Sequence, residues 1–449
     1  MRIEISFLLL CACATGAPRE EYRRDFQKAA PLPAGQSLRI EHSQGSVSVR
    51  AQTKAEVSVA AAIRCSANTA AEARAFCDQI QIHVDPAGGG LAVRTEYPTT
   101  WTHRNLGYSV NLEIAMPETS PLDVRNRFGN VTVQGLHAGA EVRNTNGNVV
   151  IAASRGRQHV ENAFGDIEVY SNEGDVSAAG QNGKLRATDI NGAATLSNRF
   201  GGVRATNIAR TLTIRGNNMP VEVERAGGVA DITSTFGDVR VLDAKSNVIV
   251  RNQNGRINAS GIGGSADLET TFAEIRFTGI ARGLTVRGQN APVTGDTVGE
   301  NAVVETTFGA VDLRGVKGGV RVTAQNSPIR LTDIGGEVYA KTTFAATTIE
   351  NAAGPITVES QNGSVSASAR QGAGCKPIAL RTTFAPIRVT VAPNTGYTVN
   401  ARTSFGRIKS QADLTLTGQI GEGSLEGKIG GGGCELRLTG QNSNIDILK

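Results

Sequence analysis

Thr235-Phe236-Gly237-Asp238-Val239-Arg240-Val241 is answered eighteen residues later by Gln253-Asn254-Gly255-Arg256-Ile257. Working outward, Phe128, Phe164, Phe200, Phe236, Phe272, Phe308 and Phe344 stand 36 residues apart. Midway between them fall Asn146, Asn182, Asn218, Asn254, Asn290, Asn326 and Asn362. The repeating unit is therefore 18 residues long, with Phe and Asn alternating in its first slot. The next residue is Gly, Ala or Ser in 13 of these 14 units, Met219 being the exception, which marks a turn. Three past the slot an aliphatic recurs, broken only at Thr347. A second apolar pair follows at twelve and fourteen past it (Val248/Val250, Leu284/Val286), and a single aliphatic recurs at eight (Ile262, Ile280).

Each unit thus reads as two short strands of period two, a bend with one inward aliphatic, and Gly/Asn-rich corners. One unit has too little core to stand alone, whereas stacked units bury a continuous one. The expected fold is all-β: a parallel β-solenoid, or β-helix, right-handed by default. Outward charges decide between 18- and 36-residue coils, because stacking places equivalent side chains ~4.8 Å apart, where like charges repel. Fifteen past the slot the column reads Arg143, Glu161, Arg215, Arg251, Glu269, Arg287, Glu305, Lys341 and Glu359. Stacked every 18 residues, its charged neighbours are all opposite. Stacked every 36, Arg215/Arg251, Arg251/Arg287 and Glu269/Glu305 become like pairs. The 18-residue coil follows.

The remainder sets the organisation. A short apolar run after Arg2 exits through Ala12-Cys13-Ala14, so residues 1–14 are expected to be a secretory signal. Either cleavage follows Ala14, or Leu10-Cys11-Ala12-Cys13 acts as a lipobox and Cys13 is the candidate lipidation residue. In the second case a lipid on Cys13 would be the chain's one membrane attachment. Residues 15–36 read as a flexible linker. Residues 37–127 read as an N-terminal β region that carries an early repeat, Gln44-Gly45-Ser46-Val47-Ser48-Val49. A helical excursion near 69–80, opened by the capping pattern Thr69-Ala70-Ala71-Glu72, and a Trp101/His103 loop interrupt that repeat and serve as a cap. From 128 to 449 the solenoid runs on, irregular after 370, with Phe384 and Phe405 delayed and Asn442 closing the row. Export permits disulfides. Cys65 with Cys77 and Cys375 with Cys434 are the candidate pairs.

The 449 residues carry Lys+Arg 46 against Asp+Glu 41, a net +5 too weak to mark a nucleic-acid binder. The five His are scattered and no Cys has metal-ligand spacing, so no metal or other cofactor is expected. Two past the slot, acids occur singly at Asp166, Asp238 and Glu274, without the converging carboxylates that glycoside chemistry needs. No catalytic residue is expected. The charge columns read as register devices, the Asn row as turn chemistry, and the Phe row as corner packing rather than a ligand platform.

Gln44–Val49, Thr235–Val241 and Gln253–Ile257, behind a secretion signal, resemble the bacterial putative-adhesin family of β-strand repeat proteins. The resemblance covers almost all of the chain from about Leu38. It implies a non-enzymatic protein of the cell envelope, periplasm or cell surface that contacts a glycan or protein. It transfers no catalytic residue, and fold likeness does not establish function. An envelope spacer or scaffold is the alternative, and a polysaccharide-active β-helix enzyme the third reading.

Overall fold

The structure, a computed structural model, describes residues 19–98, 106–418, 421 and 423–449. The expected signal with Cys13 and the Trp101/His103 loop lie outside the described residues. The protein is all-β, a parallel β-solenoid of about 15 turns, with a single short helix among the described residues. The chain divides into two compact units, Met1–Gly147 and Asn148–Lys449, one coil beyond the boundary expected at 127/128. Among the described residues no helix is long and apolar enough to cross a membrane.

In the second unit each coil supplies two short strands, such as Val239–Leu242 and Val248–Asn252, each joining its own parallel ladder. Register advances by 18: Val239 faces Ile257, and Val248 faces Ala266. Phe164 lies over Asn182, which lies over Phe200. The inner face of one coil, with Val239, Val241, Ala244, Val248 and Val250, is fully buried. Each such valine contributes about 1.5–3 kcal/mol. The bend aliphatics Ile262 and Ile280 join this core. Outward, Arg251 stacks on Glu269 (3.9 Å) and Lys341 on Glu359 (3.8 Å), the opposite-charge neighbours of an 18-residue coil.

Small residues follow the slot because coils approach closely there. A Cβ on Gly255 would meet the Gly237 carbonyl oxygen at 1.8 Å, and one on Gly147 would meet that of Gly129 at 2.3 Å. Met219 is tolerated because its side chain turns inward against Gly216, where a Cβ would meet Met219 Cε at 1.9 Å. Seven past the slot, the bend residue adopts positive φ whether or not it is glycine. Asp189, Asn207, Arg225, Asp243, Thr297 and Asp333 all lie between 54° and 62°.

In the first unit, Leu38–Glu41 lies between Gly90–Glu96 and Leu122–Phe128, parallel to both. Val47–Gln52 lies likewise between Gly107–Pro117 and Val131–Gln134. Beyond Gly107–Pro117 the pairing turns antiparallel, to Glu56–Ala67 and then to Glu20–Pro31. Here the expectation of a flexible linker over 15–36 is corrected for Glu20–Pro31, which forms a strand. Its sequence, EEYRRDFQKAAP, looks unstructured because it is charged and has little apolar surface. It orders by completing an edge, with all twelve residues in antiparallel register. Lys28 Nζ donates to the Val84 carbonyl at 2.9 Å and Arg24 to that of Ile80. A charged last strand is also a poor template for further pairing. The helix runs Ala70–Cys77 with Thr69 as N-cap, its Oγ1 accepting from the Glu72 N–H at 3.3 Å. Cys65 and Cys77 are disulfide-bonded, as are Cys375 and Cys434.

Candidate functional site: an exposed aromatic row

The inside of the slot corner is already occupied. Two residues before each slot phenylalanine, and before some of the slot asparagines, stands a buried small polar side chain, and several of these bond a carbonyl of the coil below. Asn198 Nδ2 donates to Gly183 O and Asn252 Nδ2 to Gly237 O, both at 2.8 Å. In later coils Thr takes over, with Thr270 Oγ1 donating to Gly255 O and Thr342 Oγ1 to Ser327 O, both at 3.3 Å. Buried carbonyls need such partners. With that space filled and backbone packed beneath the next residue, a ring in the slot has only one way to point.

The rings are outside. In the second unit Phe164, Phe200, Phe236, Phe272, Phe308, Phe344, Phe384 and Phe405 are between 45% and 80% exposed. Phe128, in the first unit, is 39% exposed. The expectation of corner packing is thereby corrected. The inward Asn, Ser and Thr before the phenylalanines do the packing, and the N/S/T-x-F-[G/A] pattern at every phenylalanine slot could have disclosed it. The intervening Asn254, Asn290 and Asn326 are exposed as well. Since successive coils lie ~4.8 Å apart, rings on alternate coils stand about 9.6 Å apart.

This alternation holds in space even where it fails in sequence order. Ile378–Arg381 pairs with Cys434–Gly440, which in turn pairs with Tyr397–Thr403. On the other sheet, Ile387–Thr390 and Ile408–Ser410 flank Ile445–Leu448. The last coil of the chain is thus inserted between two earlier ones. The Asn442 N–H donates to Thr383 O, and the Phe405 N–H donates to Gln441 O. The row therefore reads Phe384, Asn442, Phe405. In the first unit, Gln44 bridges Phe128 and Phe128 lies over Asn146, again an amide on each side of a ring.

The acids two past the slot have structural partners. Asp166 Oδ1 accepts the Lys184 backbone N–H at 2.8 Å and Asp238 Oδ1 that of Arg256 at 2.9 Å, each one coil on. Glu274 accepts from Arg276 Nε at 2.7 Å. The two aspartates staple coils together, whereas Glu274 pairs within its own coil. Two of the groups with displaced pKa values, His42 and Tyr97, lie together in the first unit, their ring centroids 6.5 Å apart. Burial lowers His42 to about 4 and raises Tyr97 and Tyr397. Asp413, bonded by Lys449, is lowered. Among the described residues no His/Cys/Asp/Glu group could hold a metal ion. A shallow groove beside the positive-φ bend, lined by Asn207, Arg225, Asp243 and Lys245, is open to solvent. It joins both charge signs without a nucleophile.

No protein-family model and no curated protein matches the chain. Two similar solved structures are adhesin-like by description. One is a putative cell adhesion protein from Clostridium sporogenes ATCC 15579, at 8% identity and TM-score 0.22, covering 47% of this chain and 100% of that one. The other is a putative adhesin from Bacteroides fragilis NCTC 9343, at 11% identity and TM-score 0.20, covering 68% of this chain and 99% of that one. They are the kind of protein that the repeat motifs resemble. At TM-scores this low they carry no argument about what this chain binds.

Proposed function

We propose that the chain is a non-enzymatic, exported interaction protein of the bacterial envelope, adhesin-like in role. The row of exposed phenylalanines in the second unit is its contact surface for a glycan or protein. The row is the observation that supports this reading. Eight large apolar side chains held in water at regular intervals cost solubility and return nothing to the core. Aromatic rings on a rigid scaffold are what contact surfaces use, since few torsions are lost on binding. An envelope spacer has no need of them. The acids two past the slot, engaged as coil staples at Asp166 and Asp238 and in an in-coil pair at Glu274, give no support to a hydrolase or lyase.

The test compares binding of the purified mature chain and a Phe272→Ser/Phe308→Ser/Phe344→Ser variant to envelope fractions and cells. Loss of binding in a variant that melts like wild type is expected; undiminished binding would sink the role given to the row. Export is tested by mass spectrometry of protein from the native host. The expected peptide lacks residues 1–14 or begins at a diacylglyceryl-modified Cys13. An intact Met1 peptide would overturn export.

A further inference from the structure

Four adjacent columns of the corner carry no charge across six consecutive coils. They run Gln289–Pro292, Thr307–Ala310, Gln325–Pro328, Thr343–Ala346, Gln361–Ser364 and Thr383–Pro386. Stacked at 18-residue register, and shifted by four residues at the last coil, they form one strip. Along it, half-exposed rings at Phe308, Phe344 and Phe384 alternate with exposed amides at Gln289, Gln325 and Gln361. Those three glutamine side chains have no hydrogen-bond partner among the described residues.

We propose that this strip binds a neutral, unbranched polysaccharide laid along the stack. Sugar rings would place their C–H faces on the phenylalanines, and their hydroxyls would exchange hydrogen bonds with the Gln and Asn amides between. The inference rests on the ring row being a contact surface, and names its ligand class. Three features carry it. The first is neutrality: a polyanion or nucleic acid would need cations, which these columns lack. The second is chemical alternation. Aromatic faces offer apolar, electron-rich contact, and amides both donate and accept, so a polymer must present both characters along its length. A second copy of this chain or a lipid surface would bury the amides without partners, which is costly. The third is periodicity. Rings recur at about 9.6 Å, and the alternation survives insertion of an out-of-order coil, where Asn442 separates Phe384 from Phe405. Duplication of a repeat in sequence does not by itself account for that placement. A requirement on the finished surface does.

Affinity electrophoresis of the full mature chain tests it. The probes are gels containing neutral linear glucans and mannans (hydroxyethyl cellulose, soluble starch, glucomannan) or the anionic alginate and heparin. Retardation by at least one neutral polymer, tightening by tenfold or more from short oligosaccharides to chains spanning several rings, is expected. Salt should leave it unchanged, and the Phe308→Ala/Phe344→Ala/Phe384→Ala variant should lose it at unchanged melting temperature. Retention in the same variant carrying Trp instead would separate ring chemistry from folding. Binding to alginate or heparin alone, abolished by salt, would overturn the proposal. So would ring-dependent self-association in sedimentation runs without polysaccharide retardation. Ring-dependent binding to envelope fractions that persists after periodate oxidation of their glycans would overturn the sugar while leaving the contact surface standing.

Discussion

At the level of single residues, the bend seven past the slot shows tertiary context overriding local preference. A left-handed backbone costs an L-residue roughly 1–2 kcal/mol, and a β-branched one is the least suited to it. Thr297 nonetheless holds φ 62°, between Gly279 and Gly315 in the same column. Thr297→Gly should therefore stabilise the protein, by about 1 kcal/mol, because relief of strain exceeds the added freedom of the unfolded chain and the loss of an exposed bond to Asp296. A denaturation midpoint that moves down would show that the bend is not strained. His42 offers a second check. It is buried, with Nδ1 3.0 Å from Thr95 Oγ1, and burial holds its pKa near 4 rather than 6.5. The folded state keeps it neutral while the unfolded state takes up a proton below pH ~6.5. Its contribution is complete above that pH and is lost as pH falls toward 4, by about 3 kcal/mol. Amide exchange of Leu38–Glu41 across pH 4–7 should show this slope, and His42→Gln should flatten it.

At the level of elements, the coil is held in register by its outer columns as much as by its core. Glu269 faces Arg251 on one side and Arg287 on the other. Glu269→Arg would set three arginines in one column at ~4.8 Å steps. Exposed pairs are each worth only ~0.2–1 kcal/mol, so a loss of about that size per pair is expected, shrinking as salt rises. A higher melting temperature at low salt would contradict the register. The Cys65–Cys77 disulfide ties strand Glu56–Ala67 to helix Ala70–Cys77 across a short loop. In the chain-entropy picture its removal by Cys77→Ser should cost about 3 kcal/mol. Protection should be lost in the helix and its strand, and a uniform loss through the ladders would refute that local role.

For the whole molecule, stacked repeats behave as neighbours holding neighbours. Inserting the last coil between two earlier ones departs from that order and ties residues 434–448 to strands that precede them by tens of residues. The Cys375–Cys434 disulfide closes this arrangement over a sequence separation of 59, a constraint worth roughly 4 kcal/mol by loop length. Cys434→Ser should raise amide exchange in Ile378–Arg381, Tyr397–Thr403 and Cys434–Gly440. The ladders from Val239 to Ile334 should stay protected. Deprotection spreading to those central coils would mean that the stack unfolds as one block.

The sequence by itself determined the 18-residue coil. Stacking like charges at ~4.8 Å is disfavoured, so the columns of alternating sign select one coil length, and aliphatics recurring at fixed offsets have only one inward face to share. It also determined the small residue after each slot and the helix cap at Thr69, both matters of local backbone geometry. The direction of the phenylalanines was left to the tertiary structure. Ring-in and ring-out corners demand the same small neighbour, and only the inward Asn, Ser and Thr bonded to carbonyls of the coil below close the inner side. The strand Glu20–Pro31 was equally hidden, since a charged segment orders there only because an unpaired edge awaits it. The place of Asn442 was hidden for the same reason. Parallel strands pair with whichever edge is free, and that edge need not belong to the preceding coil.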